Sequence, residues 1–166
     1  MRIFFDTEFT DLISDCMLIS IGFVDETGDR SFYAELSDTW RANDLGDFAA
    51  QSVVPLLDGQ ASLMSMAELR ERLTGWFAGF DGPVRLATDS LAWDWRWMQE
   101  IFPSPETWPV NVEKIPLLLT MNYLQNYDEF ELAVESAFSS GLRRHHALDD
   151  ARANRFGWLA SGGDVD

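Results

Sequence analysis

The amino-acid sequence predicts an α/β fold, a mixed β-sheet covered by helices. Two observations predict it. Extended apolar segments crowd the first 35 residues, and after them short apolar strands alternate with segments of helical period, punctuated by Gly and Pro. With 166 residues, 46% of them hydrophobic, the chain has enough apolar side chain for one ordinary core. A single domain is expected over residues 1–160, followed by a flexible tail at 161–166 that begins Ser161-Gly162-Gly163.

The first expected strand is 2–6, where Ile3-Phe4-Phe5 leads into Asp6. Strands at 17–24 and 30–35 flank Asp25-Glu26-Thr27-Gly28-Asp29, a strong turn signal, and so form a hairpin. Residues 39–50 fit a short helix, and Pro55 interrupts the segment after it. Ser65 with Glu68 makes a capping box ahead of a helix over 66–78, whose apolar face is Leu69, Leu73, Trp76 and Phe77. A turn at 79–83 enters a strand at 84–87, and Asp89 or Ser90 caps a helix over 91–101 that stops before Pro103. A last strand is expected at 110–112, then helices at 115–123, 128–138 and 147–159.

The charge is lopsided, 28 acidic against 12 basic residues for a formal net charge of −16, and Lys114 is the only lysine. Tight grip on long nucleic acid comes from a basic footprint, which this chain lacks. An enzyme that holds only the last nucleotides of a strand beside a bound cation remains compatible with it. No apolar run reaches the roughly 18–20 residues of a membrane span, and no signal-peptide pattern opens the chain, so a cytoplasmic protein with no membrane partner is expected. The single cysteine, Cys16, precludes an internal disulfide and any multi-cysteine zinc site.

Three segments carry chemistry. In Asp6-Thr7-Glu8, side chains two apart on a strand share a face, so two carboxylates meet. Like charges that close repel unless a cation lies between them. Asp89-Ser90-Leu91-Ala92-Trp93-Asp94 runs from a strand into a polar turn and a helix, the place where open α/β sheets present functional groups. Either Asp89 or Asp94 can be a ligand there, and Asp89 can equally be a helix cap. His145-His146-Ala147-Leu148-Asp149-Asp150 holds both histidines of the chain beside two aspartates. Imidazole titrates near neutrality and takes protons, while a carboxylate holds a metal. No HExxH pattern supports zinc. The oxygen donors of Asp6, Glu8, Asp94 and Asp150, with His145 as base, suit two Mg²⁺ or Mn²⁺ ions. Glu113, Glu129, Glu131 and Glu135 read as solvated faces.

Together these segments resemble the DEDDh branch of the DnaQ-like 3′–5′ exonuclease superfamily, and most of all its small single-domain bacterial and phage exoribonucleases. Asp6-Thr7-Glu8 matches the first motif and His145-x-Ala147-x-x-Asp150-Ala151 the third. The second motif departs from pattern, with Asp89 where relatives carry Asn and Asp94 in the catalytic position. The resemblance implies a ribonuclease H-like fold, metal binding by Asp6, Glu8, Asp94 and Asp150, and His145 as general base. It selects His145 over His146, because the family's histidine lies five residues before the last aspartate. It implies a partner in the 3′ end of single-stranded RNA or DNA, release of nucleoside 5′-monophosphates, a homodimer as in several relatives, and Thr7 and Phe9 beside the terminal nucleotide. Phe9 or Trp93 can stack on a base. The weak positive charge favours short substrates, with Arg143, Arg144, Arg152 or Arg155 available to a dimer neighbour's site. Two other readings fit the inventory: a small-nucleotide phosphodiesterase, and a catalytically silent acidic binding or inhibitory protein.

Overall fold

In the computed structural model, which describes residues 1–164, the N-terminal apolar run becomes the centre of the sheet. Strand β1 (Arg2–Phe9) pairs antiparallel with β2 (Leu18–Asp25), and β2 pairs antiparallel with β3 (Ser31–Leu36). The β2–β3 turn closes as predicted. The Asp25 carboxylate accepts from the Gly28 and Arg30 amides at 2.8 and 3.2 Å, and Gly28 takes the left-handed φ of 85° that such a turn needs. Short strand β4 (Leu63–Met64) adds parallel to β3. On the other side β5 (Arg85–Thr88) lies parallel to β1, and β6 (Leu117–Leu118) parallel to β5. The order β4-β3-β2-β1-β5-β6 makes a mixed six-stranded sheet, the predicted class.

Helices cover both faces, and the alternation of β1 sorts its side chains between them. Ile3 and Phe5 pack with Leu69, Leu73 and Phe77 of α1 (Met66–Ala78) and with Met98 and Ile101 of α2 (Arg96–Ile101). Phe4 packs on the opposite face with Phe130 of α3 (Tyr127–Ser139) and Ala151 and Trp158 of α4 (Ala147–Ala160). Continuing that alternation, Asp6 and Glu8 face the α3–α4 layer and Thr7 the other. The Ser65–Glu68 capping box starts α1 as expected.

Three local expectations are corrected. The helix expected over 39–50 is broken into a 3₁₀ turn (Ala42–Asp44) and a π-helical turn (Ala49–Val53). Between them Leu45 is extended, and the Gly46 amide donates to the Thr10 carbonyl at 2.8 Å, pinning the chain to the end of β1. The strand expected at 110–112 reduces to one parallel bridge, Val112 to Val84. The helix expected at 115–123 is replaced by β6 and turns. Leu117 and Leu119 are buried with Leu118 between them half-buried, a two-residue period, and the Leu119 amide donates to Thr88 at the end of β5. A short apolar run reads equally as helix or strand until the neighbouring edge claims its amides.

Residues 161–164 pack back on the body: Asp164 accepts from Nε and Nη2 of Arg2 at 2.9 and 2.7 Å. The rest of the expected tail, Val165 and Asp166, lies outside the described residues. Cys16 is buried as a free thiol. Among the described residues no helix is long and apolar enough to cross a membrane.

Candidate metal centre

Asp6 pairs with Gly22 across the β1–β2 ladder, and that glycine decides what can lie above the carboxylates. A Cβ on Gly22 would sit 2.3 Å from the Leu148 amide nitrogen and 2.5 Å from the Ala147 carbonyl carbon. Without it, the first turn of α4 rests directly on the sheet. Asp150, in that turn, therefore meets Glu8, and His145 enters from the residue before the helix cap. Ligand atoms of Glu8, His145 and Asp150 all lie within 4.8 Å of one another.

His145 has φ 69°, the only left-handed non-glycine residue among those described, a conformation that costs of order 1–3 kcal/mol and persists only when its surroundings dictate it. Its neighbours do so. His146, the α4 cap residue, is buried and stacked on Tyr33 of β3 with ring centroids 4.5 Å apart. Arg143 bonds Asp149 at 2.7 Å and Asp58 at 2.8 Å. The His145 ring meets Phe48 edge-on at 4.9 Å. The two adjacent histidines are thus separated, one turned to the carboxylates and one anchored on the sheet.

Asp94 comes from the other layer. Ser90 accepts from the Trp93 amide at 3.3 Å, and a π-helical turn (Leu91–Trp95) runs from there into α2. The Asp94 side chain is buried, and both its oxygens accept hydrogen bonds. Oδ1 accepts from the Thr7 amide at 3.2 Å and the Thr7 hydroxyl at 2.6 Å, while Oδ2 accepts from the Thr88 hydroxyl at 2.6 Å. The Thr7 hydroxyl is therefore spent on Asp94. Thr88 was missed by sequence reasoning, although its place at the end of β5, one residue before Asp89, was the available signal. Asp89 and Asp94 are not alternatives in space: with Asp6 they form a second group whose ligand atoms lie within 4.8 Å of each other, Asp89 at the exposed rim.

The electrostatics are those of several buried carboxylates crowded together, with Arg144 as the one basic side chain of the cleft among the described residues, His145 aside. Burial, then the charges of Asp94, Asp150, Glu8 and Asp89, pushes Asp6 well above the usual carboxylate range. Burial, then Asp150, raises Glu8 to about 9. Asp94 rises to about 7 by burial and the Asp89 charge, against the threonine donors. Asp150 rises to about 7 by burial, although the His145 backbone amide bonds it. His145 moves down, by burial and then by Arg144, so it is neutral and able to accept a proton at pH 7. Crowded hard oxygens with raised pKa values are the donor set of a Mg²⁺- or Mn²⁺-type ion, which replaces the protons when it binds. Asp6, Glu8, Asp89, Asp94 and Asp150 are the residues able to hold it.

All these groups open into one cleft of about 340 Å³. Phe9 and Trp93 stack on each other at its wall, with centroids 5.2 Å apart and planes at 18°. Glu113, Glu129, Glu131 and Glu135 are exposed, as expected.

No protein-family model matches the sequence, and no curated protein matches it. Among solved structures the chain is similar to S. pombe Pop2p in its Mg²⁺- and Mn²⁺-bound form, with a TM-score of 0.63 and 14% identity over 95% of this chain and 81% of that one. At that identity the likeness is one of architecture: the chain has a ribonuclease H-like α/β fold.

Proposed function

We propose that the protein is a metal-dependent 3′–5′ exonuclease of the DEDDh type, acting on single-stranded RNA or DNA and best suited to short RNA, and releasing nucleoside 5′-monophosphates. The observation that carries this reading is the meeting of Asp6, Glu8, Asp94, Asp150 and His145 in one cleft. Further support comes from the shared architecture with Pop2p, a protein whose structure holds Mg²⁺ and Mn²⁺. The same reading extends to the small bacterial and phage exoribonucleases as nearest in kind, a cytoplasmic location and a homodimer.

Asp6, Glu8, Asp94 and Asp150 would hold two divalent ions. When bound, these ions supply acidification of the attacking water and stabilisation of the leaving 3′ oxygen. His145, neutral and held beside Glu8 and Asp150, takes the proton of that water. Thr7 and Thr88 fix Asp94 so that its oxygens do not swing. Phe9 and Trp93 offer apolar ring surface to the terminal base, and Thr7 contributes backbone at the same place.

The test is digestion of 5′-labelled single-stranded RNA and DNA in parallel, with and without Mn²⁺. A ladder that shortens from the 3′ end is expected only with metal. Asp6→Ala abolishes it, and His145→Ala slows it by about 10²–10⁴. An Asp6→Ala protein that digests as fast as wild type overturns the reading. Cleavage of small nucleotide esters without a ladder identifies a phosphodiesterase instead, and no calorimetric Mn²⁺ binding identifies a silent binding protein.

A further inference from the structure

A strand end that enters this cleft brings phosphates toward six carboxylates, those of Asp6, Glu8, Asp11, Asp89, Asp94 and Asp150, on a chain of net charge −16. Bound cations answer for the scissile phosphate alone. The next phosphate along the strand needs its own positive partner, and the arginines can be sorted by what already holds them. Arg143 is tied to Asp149, Asp58 and the Leu56 carbonyl. Arg152 is bonded to Asp149, and Arg155 to the Glu26 and Thr27 carbonyls. Arg2 and Arg96 are likewise paired, and Lys114 lines a different hollow, beside Trp95 and Trp108.

Arg144 differs from them in place and in commitment. Among the described residues it is the one lysine or arginine lining the cleft. Its guanidinium carbon lies 4.1 Å over the ring of Phe138, another cleft residue, so the plane of the fork is supported from below. Its only hydrogen-bond partner among the described residues is Glu135, reached through Nη2 at 2.7 Å, with both side chains largely exposed, at 46% and 65%. An exposed pair of this kind is weak and exchanges readily for a stronger acceptor. The remaining guanidinium donors suit the two oxygens of a phosphodiester, which a planar fork binds in a bidentate way.

We propose that Arg144 is a phosphate-binding residue of the cleft: it leaves Glu135 and grips the nucleic-acid phosphodiester adjoining the scissile one. This rests on the exonuclease reading, and it assigns to Arg144 a role within its own chain rather than in a dimer neighbour's site.

The experiment is fluorescence anisotropy of a labelled single-stranded RNA with the full-length protein at a series of KCl concentrations. Ca²⁺ replaces Mg²⁺, because it favours the same oxygen donors. Each phosphate neutralised on a single strand contributes about 0.7 to the slope of log K against log[salt]. Arg144→Gln is expected to lower the slope by about 0.7 and the affinity by roughly tenfold, whereas Arg144→Lys, which keeps the charge, retains the slope. Affinity for a nucleoside 5′-monophosphate, which lacks the adjoining phosphate, does not change. A wild-type slope in Arg144→Gln, or an equal loss of affinity for the monophosphate, overturns the assignment. A wild-type protein that binds with an Arg144-dependent slope yet never shortens the RNA overturns the exonuclease reading alone.

Discussion

Replacing Gly22 by Ala tests the central claim that close approach of α4 to the sheet builds the site. The added Cβ would lie 2.3 Å from the Leu148 nitrogen, 2.4 Å from the Leu148 Cα and 2.5 Å from the Ala147 carbonyl carbon, whereas ordinary contact begins at 3.4 Å. All three atoms are backbone, so no side chain can rotate away and the first turn of α4 must retreat by about 1 Å. Overpacking of this kind costs about 1–3 kcal/mol, a fall in Tm of roughly 2–12 °C for a chain of this size. The larger effect is on chemistry. Asp150 and His145 ride on that turn while Asp6 and Glu8 stay on β1, and a displacement of about 1 Å lowers a rate by about 10². The assay is thermal unfolding beside the initial rate of Mn²⁺-dependent shortening of 5′-labelled RNA. Gly75→Ala serves as control, because it lies inside α1 where a Cβ meets nothing within 4 Å. It should be neutral or stabilising by up to about 1 kcal/mol. A Gly22→Ala protein with wild-type Tm and rate refutes the packing argument. A lowered Tm with an unchanged rate refutes the link between α4 and the site.

The carboxylates give two further expected outcomes. Unfolded carboxylates ionise near pH 4, whereas in the metal-free fold Asp94 and Asp150 keep protons to about 7 and Glu8 to about 9. Between those values the folded state binds more protons, so its stability falls as pH rises, and cations that displace the protons restore it. Mn²⁺ should therefore raise Tm more at pH 8, by roughly 5 °C or more, than at pH 5, and equal gains in differential scanning fluorimetry at both pH values refute the cluster. Thr88→Val keeps the shape but leaves Asp94 Oδ2 without its donor, at a cost of about 1–3 kcal/mol. Unfolding curves should show that loss and its recovery in Thr88→Ser, and a Val variant as stable as wild type denies Thr88 its clamp.

Much of the frame is local and so was legible along the chain. The apolar run at 3–5, the Asp25–Arg30 turn and the Ser65–Glu68 capping box each carry their cause within a few residues, and each formed where expected. The misread stretches were those whose conformation is settled by a distant partner. Leu117–Leu118 became a strand because β5 offered it an edge, and the 39–50 helix broke where Gly46 met Thr10.

The same division holds for the centre itself. Asp6-Thr7-Glu8 places two carboxylates on one face by strand geometry alone, so residue order by itself determined that a charge problem exists at the end of β1. Residue order also supplied the types of donor and base. Which of them meet was decided by tertiary structure: Gly22 admits α4 to the sheet, Thr7 and Thr88 turn Asp94, and the Tyr33 stack turns His146 away while His145 faces Glu8. The physical reason is range. Backbone periodicity acts over a few residues, whereas the contacts that bring β1, β5 and α4 to one cleft join residues more than 80 apart in sequence and exist only once the layers have packed.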